Sequence, residues 1–169
     1  REIETDMIFS SRFSQVFIVN RHQHIIFSKA FDWEQKKFQE VEPGQLQIIE
    51  GQLLPWIQKT PQEIKKGFFI GSEHRPFLMA SWPLMTKAME QPAGYFIVFR
   101  EVDSALKKRF QDMLQLELGF SVGSKEEWSQ SLSERGILLT GRNRIQGMVG
   151  FPDIFGKSNL IVRVDIRRA

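Results

Sequence analysis

The stretch that decides the fold class is GYFIVFREV, residues 94–102. As a strand it would carry apolar residues on both faces, and many of them are aromatic or β-branched. This composition is typical of a buried strand. Two similar segments precede it, GFFIG at 67–71 and FLMASW at 77–82, and short polar turns separate all three. Such links join neighbouring antiparallel strands, so the pattern predicts a three-stranded meander.

A hairpin is predicted upstream of this meander. FSQVFIVN at 13–20 and IIFSKA at 25–30 are apolar, and the polar residues 21–24 lie between them. This arrangement indicates two antiparallel strands joined by a tight turn. The polar segment 31–42 that follows is expected to be a loop.

A helix is expected from Pro43 to about Lys59. Its apolar residues recur at spacings of three and four, which places them on one face: Leu46, Ile49, Leu53 and Trp56. Pro55 lies inside this segment and should kink or shorten the helix, because its ring removes a backbone donor.

The C-terminal part predicts a second, smaller lobe. A helix over 104–118 begins at a capping residue, Asp103 or Ser104, and Gly119 fits a left-handed stop. A short strand at 119–122 and a capping-box helix from Ser124 come next. Three strands complete the pattern, at 136–140, 144–151 and 159–166.

The predicted fold class is therefore α+β, with antiparallel sheets, since helices do not alternate with single strands. We expect residues 1–103 to form the larger part of the fold and 104–169 a smaller lobe, within what could be one continuous domain.

Composition and motifs exclude several functions. The chain has no cysteine, which excludes disulfides, thiolate metal sites and a cysteine nucleophile. No run of about 18 apolar residues is present. There is no nucleophile elbow and no phosphate-binding loop. His22 and His24 could share one metal ion, but they fall in a predicted turn, so we expect exposed histidines. We predict no catalytic residues, no cofactor, no metal and no nucleic-acid partner.

Three ordered stretches resemble the fourth family of CHASE sensory domains (cyclase/histidine-kinase-associated sensory extracellular domains). The first runs from Phe17 to Ala30 and is similar to that family's hairpin. The second combines LMASWPL at 78–84 with PAGYFIVFREVD at 92–103, and the third runs from Asp153 to Arg168. The family's N-terminal helix signature has no counterpart here, and Phe99 stands where the family usually has glycine.

The resemblance implies a sensor with a PAS/Cache-like antiparallel sheet, flanking helices and a smaller C-terminal αβ lobe. Such a domain lies on the extracytoplasmic side of an inner-membrane protein, in bacteria the periplasm. Its output would be a histidine kinase or a cyclic-di-nucleotide enzyme. We expect an excised segment whose membrane anchors lie outside it. The resemblance also implies a homodimer through the missing N-terminal helix.

The expected activity is binding of a small molecule without turnover. Trp82, Tyr95 and Phe69 could form apolar walls, while Ser81 and Arg100 could supply a donor and a fixed charge. Strand alternation places Tyr95 and Arg100 on opposite faces, so they should not both line one pocket. Two alternatives stay open: a protein-interaction sensor with a filled core, and a small hydrolase or transferase.

Overall fold

The structure, a computed structural model, describes residues 12–86, 90–124, 137–139 and 144–167. The chain divides into two compact units. The first contains the described residues up to Gly67 together with Gly71–Glu101. The second contains Phe68–Ile70 and the described residues from Val102 onward.

Most of a six-stranded sheet of order β3-β2-β1-β6-β5-β4 belongs to the first unit, and the last residues of β4, Phe68–Ile70, are assigned to the second. The α+β fold class and the predicted hairpin and meander are confirmed. The loop predicted over 31–42 is wrong in part, because three of its residues form an edge strand on β2. The strands are β1 (Gln15–Asn20), β2 (Ile25–Asp32), β3 (Lys37–Gln39), β4 (Lys65–Ile70), β5 (Pro76–Leu84) and β6 (Gly94–Glu101).

Strand β6 lies between β1 and β5 and fixes which residues share a face. Ile97 is paired with Phe17 on one side and with Ser81 on the other. The ring of Phe99 meets the rings of Phe17 and Phe77 edge-on, with centroids 5.5 and 6.0 Å apart. All three rings are fully buried. This face therefore carries the main core of the unit, and the side chain of Phe99 occupies its centre.

A helical segment of residues 43–57 belongs to the same unit, and its middle turn is unusually wide. It consists of α1 (Pro43–Ile48), a π-helical turn (Ile49–Leu53) and α2 (Leu54–Ile57). Pro55 has no N–H to donate, and its ring would crowd a carbonyl four residues earlier in a regular α-helix. The wider turn relieves that conflict, and the backbone N–H of Leu54 donates to Ile49 O. The sequence predicted a kink or a shortened helix here, and the structure shows a π turn.

A buried amide connects this helical segment to the sheet. Gln45 is fully buried in α1. Its Nε2 donates to Gln15 Oε1 at 3.3 Å, and its Oε1 accepts from the backbone N–H of Ser72 at 2.9 Å. A Cβ on Gly71 would lie 2.4 Å from the same Oε1, so this position has no room for a side chain.

The second unit contains a four-stranded antiparallel sheet of order β7-β10-β9-β8. The side chain of Asp103 caps α3 by accepting from Leu106 N at 2.7 Å. The left-handed residue that ends this helix is Gln115. The stop predicted at Gly119 is wrong, because Gly119 lies in β7, where it pairs with Arg163 of β10. The helix predicted from Ser124 lies outside the described residues beyond its first position. The elements are α3 (Ser104–Leu114), β7 (Glu117–Ser124), β8 (Ile137–Leu139), β9 (Arg144–Pro152) and β10 (Ser158–Arg167).

Candidate ligand-binding cavity

A surface cavity of about 620 Å³ lies within the first unit. Its volume falls in the range of roughly 300–1,000 Å³ that small-molecule sites usually occupy. Three segments far apart in sequence build its wall. They are the β1–β2 turn, the chain just after α2, and the chain leading into β6. The lining residues are Arg21, His22, Gln58, Pro61, Glu90, Gln91, Pro92 and Tyr95.

The first wall is the β1–β2 turn, which Asn20 shapes. Its side-chain oxygen accepts from the backbone N–H groups of His22 and His24, at 2.9 and 3.0 Å. Gln23 adopts a left-handed conformation with φ of 66°. Asparagine side chains that bond to nearby backbone amides commonly stabilise such turns. The result is a fixed loop that carries Arg21 and His22 to the cavity.

Two glutamine side chains join this turn and the other walls to one another. Gln23 Nε2 donates to Gln58 Oε1 at 2.6 Å, which connects the β1–β2 turn to the end of the helical segment. Gln62 Nε2 donates to the backbone oxygen of Glu90 at 2.8 Å, which connects the second wall to the third. The cavity therefore depends on contacts between segments that no single element provides.

Tyr95 lines the cavity together with Pro61 and Pro92. Its side chain is almost fully buried, and that burial raises the pKa of its hydroxyl above the ordinary value of 10.0. Gly94 brings this part of β6 against β1, since a Cβ there would lie 2.1 Å from Val19 O. The close approach fixes the backbone of β6 immediately before Tyr95.

Charges of opposite sign line the cavity without pairing with each other. Arg21 Nε donates to His22 Nε2 at 3.0 Å. Within the described part of the chain, neither Arg21 nor Glu90 forms an ion pair. The site thus offers one guanidinium and one carboxylate to an incoming molecule.

The five residues predicted for the site do not converge on this cavity. Tyr95 lines it. Ser81 lies on the same face of the sheet but is fully buried, and its hydroxyl has no hydrogen-bond partner among the described residues. Trp82 lies on the opposite face, where its ring packs near Phe96 with centroids 6.0 Å apart.

Arg100 and Phe69 are not among the residues that line the cavity. Arg100 follows the strand alternation, which places it on the face opposite to Tyr95, and its Nη1 donates to the backbone oxygen of Arg12. Phe69 is fully buried and belongs to the second unit, where its ring lies 6.2 Å from that of Phe155. The sequence interpretation concentrated on the apolar strands, whereas the cavity is built mainly from turn residues.

The remaining lining residues carry little sequence signal. In the sequence, His22 was considered only as a possible metal ligand together with His24. Its neighbours Arg21 and Gln23 have the character of ordinary loop residues. In the described ranges, no three His, Cys, Asp or Glu side chains are grouped so that they could hold a metal ion. Among the helices of those ranges, none is long and apolar enough to cross a lipid bilayer.

Comparison with solved structures defines the class of fold. The chain is similar to one assigned as the extracellular domain of the histidine kinase vpHK1S-Z8, with 9% identity, a TM-score of 0.54, and coverage of 96% of this chain and 74% of that one. It is also similar to a domain of a sensory box/GGDEF family protein from Vibrio parahaemolyticus, with 8% identity, a TM-score of 0.57, and coverage of 96% and 75%. The ligand-binding domain of the Pseudomonas fluorescens chemoreceptor CtaA, solved with L-isoleucine, aligns at 10% identity and a TM-score of 0.46, over 94% and 70% of the two chains. The fold is that of Cache-like sensor domains.

The family follows from the sequence itself. The model of the CHASE4 domain matches residues 1–121, and the chain belongs to this family. It is accordingly a sensory domain of the kind that extracellular parts of membrane receptors provide, and it is not an enzyme. The curated proteins include no significant match to the sequence.

Proposed function

We propose that this chain is the extracytoplasmic ligand-sensing domain of a transmembrane signalling receptor, and that it binds a small molecule in the cavity beside Tyr95. The receptor's output is a histidine kinase or a cyclic-di-nucleotide enzyme. In a bacterial cell the domain lies in the periplasm, tethered to the inner membrane by segments outside this sequence. Binding occurs without turnover.

The observation that carries this proposal is the cavity itself. Its volume is about 620 Å³, and its lining combines five polar or charged residues with one tyrosine and two prolines. That combination is characteristic of small-molecule sites. It favours a ligand pocket over the alternative of a protein-interaction sensor with a filled core.

The way the walls are joined supports a signalling mechanism. The cavity surface comes from three segments held together by the Gln23–Gln58 and Gln62–Glu90 hydrogen bonds. A ligand that contacts all three segments binds best to the arrangement in which they are close together. It therefore shifts the population toward that arrangement, by an amount equal to its difference in affinity for the two.

Of the predicted binding residues, we propose that Tyr95 contacts the ligand directly. Ser81, Trp82, Arg100 and Phe69 stay predictions, with a role in shaping the sheets that carry the site. We further propose the division into a sensor core over 1–103 and a membrane-proximal lobe over 104–169. We also propose a homodimer in the full-length receptor, formed through an N-terminal helix.

A thermal-shift screen with a cavity-filling variant tests the function. We expect at least one compound among amino acids, carboxylates, polyamines and sugars to raise the melting temperature, because a ligand at 100 times its Kd stabilises the folded form by about 2.7 kcal/mol. Gln91→Trp places an indole ring in the cavity and should abolish the shift. Gln47→Trp, on the exposed side of α1, is the matched control and should retain it.

Two results would contradict the proposal. One is a screen in which no compound stabilises the parent chain. The other is a ligand that stabilises Gln91→Trp as strongly as it stabilises Gln47→Trp, since that ligand would bind elsewhere.

A further inference from the structure

We infer that one end of the second unit binds the surface of an anionic lipid bilayer. The apolar side chains at the end of α3 would insert among the headgroups, and the basic residues beside them would lie at the phosphates. The inference rests on the proposed function, which puts this unit beside the membrane, but none of the residues involved lines the ligand cavity.

The end of α3 exposes two consecutive large apolar side chains. Met113 is 66% exposed, the highest value for any large apolar side chain among the described residues, and Leu114 is 51% exposed. The helix itself is packed on its unit, because Leu106 is buried and Gln111 Nε2 donates to the backbone oxygen of Leu118 at 3.2 Å. The two apolar side chains are therefore left outside an otherwise well-packed helix.

Strand β10 ends near this helix end and adds a third exposed apolar side chain. Glu117, the first residue of β7, pairs with Asp165 of β10. The next residue of β10 is Ile166, which is 43% exposed. Leu114 precedes Glu117 by three residues, which span at most about 11 Å. The connectivity of the backbone thus keeps the end of α3 and Ile166 at the same end of the unit.

Basic residues accompany these apolar side chains. Lys108 and Arg109 are exposed on α3, and Arg109 lies four residues before Met113, at the spacing where helical side chains are neighbours. At the end of the sheet, Arg144 of β9 pairs with Arg167 of β10. Basic residues outnumber acidic ones in α3 and at these strand ends. The basic residues are Lys107, Lys108, Arg109, Arg144 and Arg167, and the acidic ones are Asp112, Glu117 and Asp165.

Exposed apolar side chains next to cations fit the surface of an anionic bilayer. The apolar groups gain free energy by leaving water for the boundary of the acyl chains, and positive charges are attracted to anionic headgroups. The long stems of lysine and arginine let their charges stay at the level of the phosphates while apolar neighbours insert more deeply.

A protein partner fits this surface less well. Stable protein interfaces bury roughly 800 Å² on each side, around an apolar centre that is depleted of charged residues. Three exposed apolar side chains interspersed with lysine and arginine do not provide such a centre. The composition of this end therefore favours a lipid surface over a second copy of the chain.

Co-sedimentation with vesicles tests the charge requirement on the 169-residue chain. The probes are sucrose-loaded vesicles of pure phosphatidylcholine and of phosphatidylcholine with about one third phosphatidylglycerol. At about 0.1 M salt, the partition coefficient should be about 30-fold higher on the vesicles with phosphatidylglycerol. Salt at about 1 M should remove most of this difference, because it shortens the Debye length from about 10 to about 3 Å.

A double variant assigns the attraction to α3. Lys108→Gln combined with Arg109→Gln should lower binding to the anionic vesicles about 10- to 25-fold, since each basic residue near such a surface contributes about fivefold. Lys36→Gln combined with Lys37→Gln is the matched control, because it also removes two adjacent exposed cations, in the first unit. The control should bind like the parent.

A fluorescent label tests insertion of the apolar side chains. The chain has no cysteine, so Met113→Cys provides a single site for the dye NBD, whose emission rises when it leaves water. The emission should rise about two- to fourfold on the anionic vesicles, because this position enters the headgroup region. Ile64→Cys replaces an exposed apolar residue of the first unit and should show no rise. Urea midpoints of both variants should match the parent.

Several outcomes would overturn the inference. Equal binding to both kinds of vesicle is one, and an equal NBD response at the two labelled positions is another. Binding without an NBD rise in labelled Met113→Cys would also overturn it, since no apolar contact would then be made. The same holds for a dimer in sedimentation equilibrium that Leu114→Ser dissolves, because the surface would then bind a second copy.

The thermal-shift screen tests the ligand-sensing proposal separately. Vesicle binding with the stated dependence on charge and label position, by a chain that no compound stabilises, would support the bilayer contact and contradict the ligand cavity. A stabilising compound without vesicle binding would support the cavity and overturn the bilayer contact.

Discussion

Replacing the buried glutamine of α1 by leucine should weaken the first unit substantially. Gln45 is fully buried and uses both ends of its amide, one toward Gln15 and one toward Ser72. Leucine has a similar volume and a comparable helix propensity. The substitution therefore changes the hydrogen bonds while leaving the packing volume nearly constant.

The expected loss follows from the two groups left without partners. Gln15 is itself buried, and the Ser72 N–H is half-buried. Each buried polar group that loses its partner costs about 1–3 kcal/mol. Burying a leucine side chain offsets about 1.5–3 kcal/mol of that cost. A net loss of about 2 kcal/mol remains, which moves the urea midpoint by about 1 M for a slope near 2 kcal/mol per molar.

Urea unfolding followed by tryptophan fluorescence is the assay, because three of the four tryptophans lie in the first unit: Trp33, Trp56 and Trp82. Gln47→Leu is the control, as it makes the same change on the exposed side of α1 and should shift the free energy of unfolding by less than about 0.5 kcal/mol. Equal midpoints for Gln45→Leu and Gln47→Leu would show that the buried amide contributes nothing to stability.

Three further predictions concern backbone space, titration and capping. Gly71→Ala should lower the free energy of unfolding by about 1–3 kcal/mol, since its Cβ would meet a buried amide and a phenyl ring. Gly51→Ala, where the space is open, should raise it by about 0.4–1 kcal/mol. Matching urea midpoints for the two variants would refute this prediction. Tyr95 is the only tyrosine, so absorbance at 295 nm should show a midpoint above 10.0 in the folded protein and near 10 in urea. The folded form holds that proton more tightly, so the free energy of unfolding should fall as pH rises above about 10. Tyr95→Phe should remove this decline, and the same decline in the variant would show that burial of Tyr95 has no effect. Asp103→Ala should lower the free energy of unfolding by about 0.5–2 kcal/mol in thermal unfolding, because it removes the helix cap. Asp112→Ala, at an exposed position of the same helix, should leave it unchanged. Equal stabilities of the two variants would exclude a stabilising role for the Asp103 cap.

The sheet could be predicted from sequence because its central strand β6 is long and largely buried on both faces. GYFIVFREV and its neighbours combine aromatic and β-branched residues with clear turn boundaries, and the structure pairs them as expected. Strand β3 gave no such signal, since its three residues are exposed and owe their conformation to pairing with β2. Tertiary contacts can impose an edge strand on a segment that has no strand pattern of its own.

The site was less accessible to sequence reasoning than the fold. Tyr95 could be identified because it begins an apolar strand next to a proline and a glycine. Arg21, Gln58 and Glu90 could not, since each is an ordinary surface residue whose role depends on three distant segments meeting. Loop residues that a sheet brings together in this way leave no periodic pattern.

The wide helical turn ahead of Pro55 limits how the cavity can change shape. Conversion of this turn into a regular α-helix would require a backbone donor that proline lacks. The downstream end of the segment, which carries Gln58 to the cavity, is therefore anchored in one register. We therefore expect a bound molecule to change the positions of the β1–β2 turn and of the chain leading into β6 more than the internal geometry of this helical segment.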